Sequence, residues 1–147
     1  VTCLLAIDPG NTTGVALFMN REILQAFACP FERFIANPPV FGDEIVIEMP
    51  KWRPHSHEEI DDLLGLARKV GRIEEHYSRL CVPVTCVWPH QWKGSVPKDI
   101  HNERILKTLK SGELLILPRR SKRAKFPYDR NMIDAVGIGL WKLGRMR

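Results

Sequence analysis

Nowhere in the 147 residues does an apolar run approach the roughly 20 residues that a membrane-spanning helix requires, so no membrane association is expected. Asp8 interrupts the amino-terminal apolar segment before it reaches the length of a secretory core, and a leader of that kind is not expected either. Cysteine is scarce. The four present, Cys3, Cys29, Cys81 and Cys86, contain no C-x-x-C pair, which speaks against a zinc knuckle and predicts reduced thiols among apolar neighbours, in a reducing compartment. Internal repeats and low-complexity tracts are absent, and 44% hydrophobic residues suffice for a sizeable core, so one globular unit over residues 1–147 is expected. Acidic residues are the minority charge, 17 against 22 Lys plus Arg, and the resulting +5 favours polyanionic partners.

What is present begins with two short apolar runs, CLLAID and GVALF, separated by the turn chemistry of PGNTT; they predict a hairpin, which Arg21 to Cys29 extends as a third strand. PFERFIANPPVFGD is rich in Pro, Gly and Asn and predicts a loop with one short helical turn. EIVIEMP is a fourth strand, stopped by its proline. From Ser56, apolar residues at Ile60, Leu63, Leu64, Ala67, Val70, Ile73, Tyr77 and Leu80 predict an amphipathic helix of about 23 residues, with Ser56 and Glu59 as a capping box. VPVTCVWP reads as a strand, PKDIHNERILKTLKSG as one helix from Pro97 to Gly112, RRSKRAK as an exposed basic loop, and the segment after Asp129 as a closing helix with Asp129 at its N-cap. Strands alternating with helices in this order predict an α/β fold, a mixed sheet with helices packed on it.

Three carboxylates break apolar patterns: Asp8 at the end of the first strand, Glu48 at the end of the fourth, and Asp134 within the apolar closing helix. A carboxylate facing a core needs a cation. If the first and fourth strands are neighbours and the last helix crosses their ends, the three converge on one divalent pair, and two such ions suit phosphodiester hydrolysis. Taken singly, Asp8 and Glu48 would more often be a cap or a salt-bridge partner, and Asp134 would be one as often as not; their joint position at element ends makes the case. KWRPHSH, directly after the Glu48 strand, brings Lys51 and Arg53 near the proposed metals, while His55 and His57 have no metal-ligand spacing. Arg119, Arg120, Lys122, Arg123 and Lys125 lie just before the closing helix and are candidate phosphate contacts or ordinary solvated surface.

IDPGNTTGVAL, then VIEMP, then DRNMIDAVGIGLW resemble, in order and spacing, the RuvC-type Holliday-junction resolvase family of the RNase H-like superfamily. The resemblance covers nearly the whole chain. It implies an RNase H-like fold with a central mixed five-stranded sheet flanked by helices, and a homodimeric endonuclease that resolves four-way junctions symmetrically with two Mg²⁺ ions, Mn²⁺ substituting, leaving 5′-phosphate ends. By the same resemblance Asp8, Glu48 and Asp134 are the catalytic metal ligands. The family places a fourth acidic or histidine ligand three residues before the last aspartate, where this chain has Asn131; Asn131 and Asp129 are both candidates for that place. PHQWKGSVPKD resembles the stretch in which basic residues approach DNA, making Lys93 and Lys98 candidate phosphate contacts and Trp92 a residue that either stacks on an unpaired base or belongs to the core. The helix from Ser56 to Leu80 resembles the family's dimer helix, although a core helix explains its stripe equally. Branched DNA is the implied partner, in the cytoplasm of a bacterium or a phage-infected cell. The alternatives are a related nuclease acting on RNA or other branched DNA, and a catalytically silent junction-binding module, which Asn131 favours.

Overall fold

The computed structural model describes residues 2–40, 42–51 and 59–146. The expectations for Arg53, Ser56, His55 and His57 therefore lie outside the described residues. The first three strands, Cys3–Asp8 (β1), Thr12–Met19 (β2) and Glu22–Pro30 (β3), form an antiparallel meander. Its second turn is tight because Asn20 and Arg21 both take left-handed φ, 49° and 73°, the pairing whose twist matches a two-residue hairpin. Phe31–Ala36 (α1) is the short helix expected within the Pro-rich segment. Glu44–Glu48 (β4) then pairs parallel with β1, and Val84–Val87 (β5) parallel with β4, giving a five-stranded mixed sheet in the order β3-β2-β1-β4-β5.

Alternation along the strands divides the core in two. Leu5, Ile7, Val15, Ile45 and Ile47 face α1 and the long helix Ile60–Arg79 (α2), which contributes Val70, Ile73 and Tyr77. Leu4, Ala6, Ala16, Phe18 and Val46 face the opposite way, against Lys98–Thr108 (α4) and Arg130–Lys142 (α6). Helix α6 is buried continuously from Met132 to Leu140, because the sheet covers one side and α4 the other. Gly137 makes that sandwich possible: a β-carbon there would lie 2.6 Å from both Trp92 and Ile105.

Two expectations need correction. The helix predicted from Pro97 to Gly112 is two helices, α4 and Ser111–Ile116 (α5), with Leu109 and Lys110 extended between them. The break lets Glu113 turn inward, where it accepts the backbone N–H of Ile23 and of Lys110 and pairs with both terminal nitrogens of Arg145 at 2.6 and 2.7 Å. The carboxyl of Glu113 is accordingly held down at about 2, above all by the Arg145 hydrogen bonds. The cysteines are free, but none is fully buried: Cys3, Cys29 and Cys86 are half-buried and Cys81 is exposed.

A carboxylate cleft at the ends of the parallel strands

The residue alternation that buries Leu4 and Ala6 beneath α6 also places Asp8 on that face, and the alternation that buries Val46 does the same for Glu48. Because β1 and β4 run parallel as neighbours, both carboxylates emerge at the same end of the sheet. Beside Asp8, its cross-strand partner on β2 is Gly14, and α6 approaches so closely there that a β-carbon on Gly14 would lie 1.9 Å from the carbonyl oxygen of Asn131. That approach brings the first turns of α6, and Asp134 with them, to the ends of β1 and β4. Asp134 is only 6% exposed despite its charge.

The three carboxylates feel one another. Burial pushes the Asp8 carboxyl well above the usual carboxylate range, with the Glu48 and Asp134 charges adding to the effect and Lys93 and Lys98 opposing it. Among the described residues, no hydrogen-bond or ion-pair partner reaches Asp8. Glu48 is also raised by burial, against the pull of Lys93 and of a hydrogen bond from Trp92. The Trp92 indole N–H donates to Glu48 Oε2 at 2.5 Å, and Lys93 Nζ lies 3.3 Å from the same oxygen. Lys98 Nζ is 3.4 Å from Asp134 Oδ2. Two ammonium groups thus meet two of the three carboxylates.

Trp92, a candidate for base stacking, is instead 4% exposed: it closes the short helix Pro89–Trp92 (α3), packs on Gly137 and Ile105, and orients Glu48. The tryptophan that does reach the surface nearby is Trp88, at 41% exposure, one residue past β5. Lys51 is exposed, with Nζ 3.3 Å from Nδ1 of His90. The basic cluster from Arg119 to Lys125 is tied back by Arg120 N–H donating to the Pro127 carbonyl and by Arg119 lying over the Tyr128 ring, and all five of its cations are exposed. Asp129 caps α6, its Oδ1 accepting the backbone N–H of Asn131 and Met132 at 2.8 and 3.2 Å. Asn131, half-buried, lies three residues before Asp134 and so shares its helix face.

Sequence reasoning passed over His101. It sits on α4, 3% exposed, with its ring edge-on to Trp92 at 4.9 Å between centroids, and neither ring nitrogen has a partner among the described residues. A histidine one turn after Lys98 in a predicted helix was the available signal.

As they stand, no three His, Cys, Asp or Glu side chains among the described residues are drawn together tightly enough to enclose an ion. The donor set nevertheless suits a hard divalent cation: oxygen ligands on three separate elements, a carboxylate at Asp8 with no counter-ion among the described residues, and two more carboxylates each met by a lysine able to swing away, Glu48 keeping its Trp92 hydrogen bond. Among the described residues no helix is long and apolar enough to cross a membrane.

No protein-family model and no curated protein matches the sequence. Solved structures do. The chain resembles RuvC of Thermus thermophilus in complex with a Holliday junction substrate, with a TM-score of 0.64 at 14% identity over 100% of this chain and 99% of that one. A second structure of Thermus thermophilus RuvC gives a TM-score of 0.57 at 17% identity, covering 99% of each chain. The chain therefore has the RuvC fold, the RNase H-like α/β architecture that the three motifs imply.

Proposed function

We propose that this protein is a divalent-metal-dependent endonuclease of branched DNA, acting on four-way junctions. The observation that carries the reading is the convergence of Asp8, Glu48 and Asp134 on one face of a RuvC-like sheet, two of them paired to lysines and the third, among the described residues, to nothing. Asp8, Glu48 and Asp134 would hold two Mg²⁺ ions, or Mn²⁺ in their place, with Asn131 as the uncharged fourth ligand. That Asn131 shares the face of Asp134 while one oxygen of Asp129 is committed to capping supports Asn131 over Asp129. When bound, such ions supply an activated water and neutralise the leaving 3′-oxygen, which leaves a 5′-phosphate on the product.

The chain's own residues do the rest. Trp92 fixes the orientation of Glu48 from a buried position, so that ligand is set before substrate arrives. Lys93 and Lys98 hold charge balance in the cleft and, once displaced from the carboxylates, are placed to meet phosphate oxygens. Lys51 and the Arg119 to Lys125 cluster would extend the cationic track along the DNA, addressing backbone and shape rather than base edges. On the opposite face of the sheet, the first half of α2 leaves Ile60 67% and Leu64 56% exposed, which supports a second copy docking there. Two-fold symmetry would then present one site to each of two opposing strands.

The decisive experiment is cleavage of an end-labelled immobile junction beside linear duplex, single strand, flap and RNA–DNA hybrid, with Mg²⁺, Mn²⁺ or EDTA. Paired nicks in the junction, lost in EDTA, are expected. Preferential cutting of hybrid or flap would transfer the reading to a related nuclease, and binding without nicking under every metal would make the protein a silent module. For the basic cluster, replacing Arg119, Arg120 and Lys122 together by glutamine should reduce the slope of log affinity against log salt by about 0.9 for each phosphate that is no longer neutralised. An unchanged slope in a binding titration returns the cluster to ordinary surface.

A further inference from the structure

Strand β3 is an edge: it pairs with β2 and, among the described residues, with no strand on its other side. Proteins ordinarily blunt such an edge with charge, proline or a covering element, because its outward N–H and C=O groups template further pairing. Here the blunting is confined to the two ends. Glu113 of α5 accepts the N–H of Ile23, and Pro30 has no N–H to offer. Between them ILQAFAC carries no charge, and among the described residues no hydrogen bond reaches the outward backbone groups of Gln25 to Cys29. The second observation lies beside this stretch. A cavity of about 350 Å³ is bounded by Gln25, Phe27 and Cys29 of β3 and by Arg33, Phe34 and Asn37 in and just after α1. Its phenylalanines are apolar floor, while Gln25, Arg33 and Asn37 form an exposed polar rim. Among the described residues no hydrogen bond or ion pair engages the side chain of any of these three.

We propose that β3 is a docking edge for an extended acidic peptide segment of a partner protein, which pairs with the backbone from Gln25 to Cys29 and sets a carboxylate against Arg33. Main-chain hydrogen bonds would supply the affinity, and the cavity would receive alternate apolar side chains. Charge decides the occupant. Lys69 and Arg72 lie over the Phe31 ring at the start of α1, 5.6 and 5.1 Å from its centroid, and of the three cations here only Arg72 has an acid, Glu32, beside it. A second copy of β3 fits less well, because ILQAFAC brings no acid to Arg33 and Glu22 is already bound to Lys110. A nucleic-acid backbone would meet Arg33, yet its phosphates offer acceptors only, whereas an open edge presents N–H and C=O groups in alternation. The groove lies on the α1 side of the sheet and the carboxylates on the α6 side, so docking here is independent of the nuclease chemistry.

The test is ¹⁵N–¹H NMR of the full chain in EDTA, with backbone amides assigned, titrated with capped octapeptides. One alternates valine and aspartate, one alternates valine and lysine, and the last is the aspartate peptide with every backbone nitrogen methylated. The aspartate peptide is expected to shift the amides of Gln25 to Cys29 and to slow their hydrogen exchange, and to bind about tenfold more tightly than the lysine peptide. Arg33→Glu, at an exposed position that the fold does not depend on, should reverse that ranking. Methylation should abolish binding, since it removes the main-chain donors and leaves the side chains in place. Equal binding by the methylated or the lysine peptide overturns the proposal, as do shifts confined to other elements or no shift at millimolar peptide. A linear duplex that moves Gln25 to Cys29 more than the aspartate peptide does would assign the edge to nucleic acid, and shifts that grow with protein concentration alone would assign it to a second copy; either result overturns the peptide site.

Discussion

Asp8→Asn should abolish junction cleavage, leave junction binding intact or tighter, and make the metal-free protein more stable. The first two follow from removing a charge that the ions need while leaving every phosphate-facing cation in place. The loss in rate should exceed the roughly 10–100-fold that changes outside the immediate ligands bring, because Asp8 is proposed as a direct ligand. The third follows from the environment of Asp8. Its folded pKa is raised above the ordinary 3.8, first by burial and then by Glu48 and Asp134. A carboxyl raised on folding favours the native state in its protonated form. The corresponding stability is present below the ordinary value and is lost as pH rises through the raised, folded value. Above the ordinary value the wild-type protein without metal therefore carries a cost at Asp8 that an uncharged asparagine removes. Thermal unfolding in EDTA should show a higher midpoint for the variant at about pH 7, converging with wild type toward about pH 4. Added Mg²⁺ should raise the midpoint of wild type far more than that of the variant, since only a form that binds the ion gains from it. Cleavage at the wild-type rate by Asp8→Asn would remove the carboxylates from the proposed chemistry.

The same physics explains why this site was legible in a bare sequence. A strand alternates faces, so Asp8 has to share the face of Leu4 and Ala6, and Glu48 that of Val46. Asp134 is visible for a helical reason, as one acid among nine consecutive buried residues. What escaped was tertiary. Trp92 has the same composition signal whether it stacks on a base or plugs a core; only Gly137, 45 positions away and too small to fill its own space, decides that it is buried. The break between α4 and α5 depends on Glu113 reaching Ile23 and Arg145, partners 90 and 32 positions distant that no local window holds. His101 stood inside a predicted helix as one polar residue among many, and its meaning comes from having no partner among the described residues.

The second large effect is expected at Gly14, far from any charge of its own. Gly14→Ala should lower stability by about 3 kcal/mol or more and silence cleavage without altering one proposed ligand. Its β-carbon would lie 1.9 Å from the carbonyl oxygen and 2.3 Å from the carbonyl carbon of Asn131, and 2.9 Å from the backbone nitrogen of Met132. These are backbone atoms at the capped start of α6, held by the two hydrogen bonds to Asp129, so no side chain can rotate away to make room. Either β2 separates from β1 at the Asp8–Gly14 pair or the amino-terminal end of α6 lifts off the sheet. Both movements separate Asp8 from Asp134. A loss of that size should lower the melting temperature by about 10 °C in a domain near 150 residues, as thermal unfolding would record. Because the clash acts on the spacing of the carboxylates, a Gly14→Ala protein that remains folded at low temperature should bind Mn²⁺ weakly in a calorimetric titration, whereas Gly71→Ala, where a β-carbon meets nothing within 4 Å, should bind it as wild type does. Equal Mn²⁺ affinity in the two variants would mean that the approach of α6 to β2 does not set the carboxylate spacing.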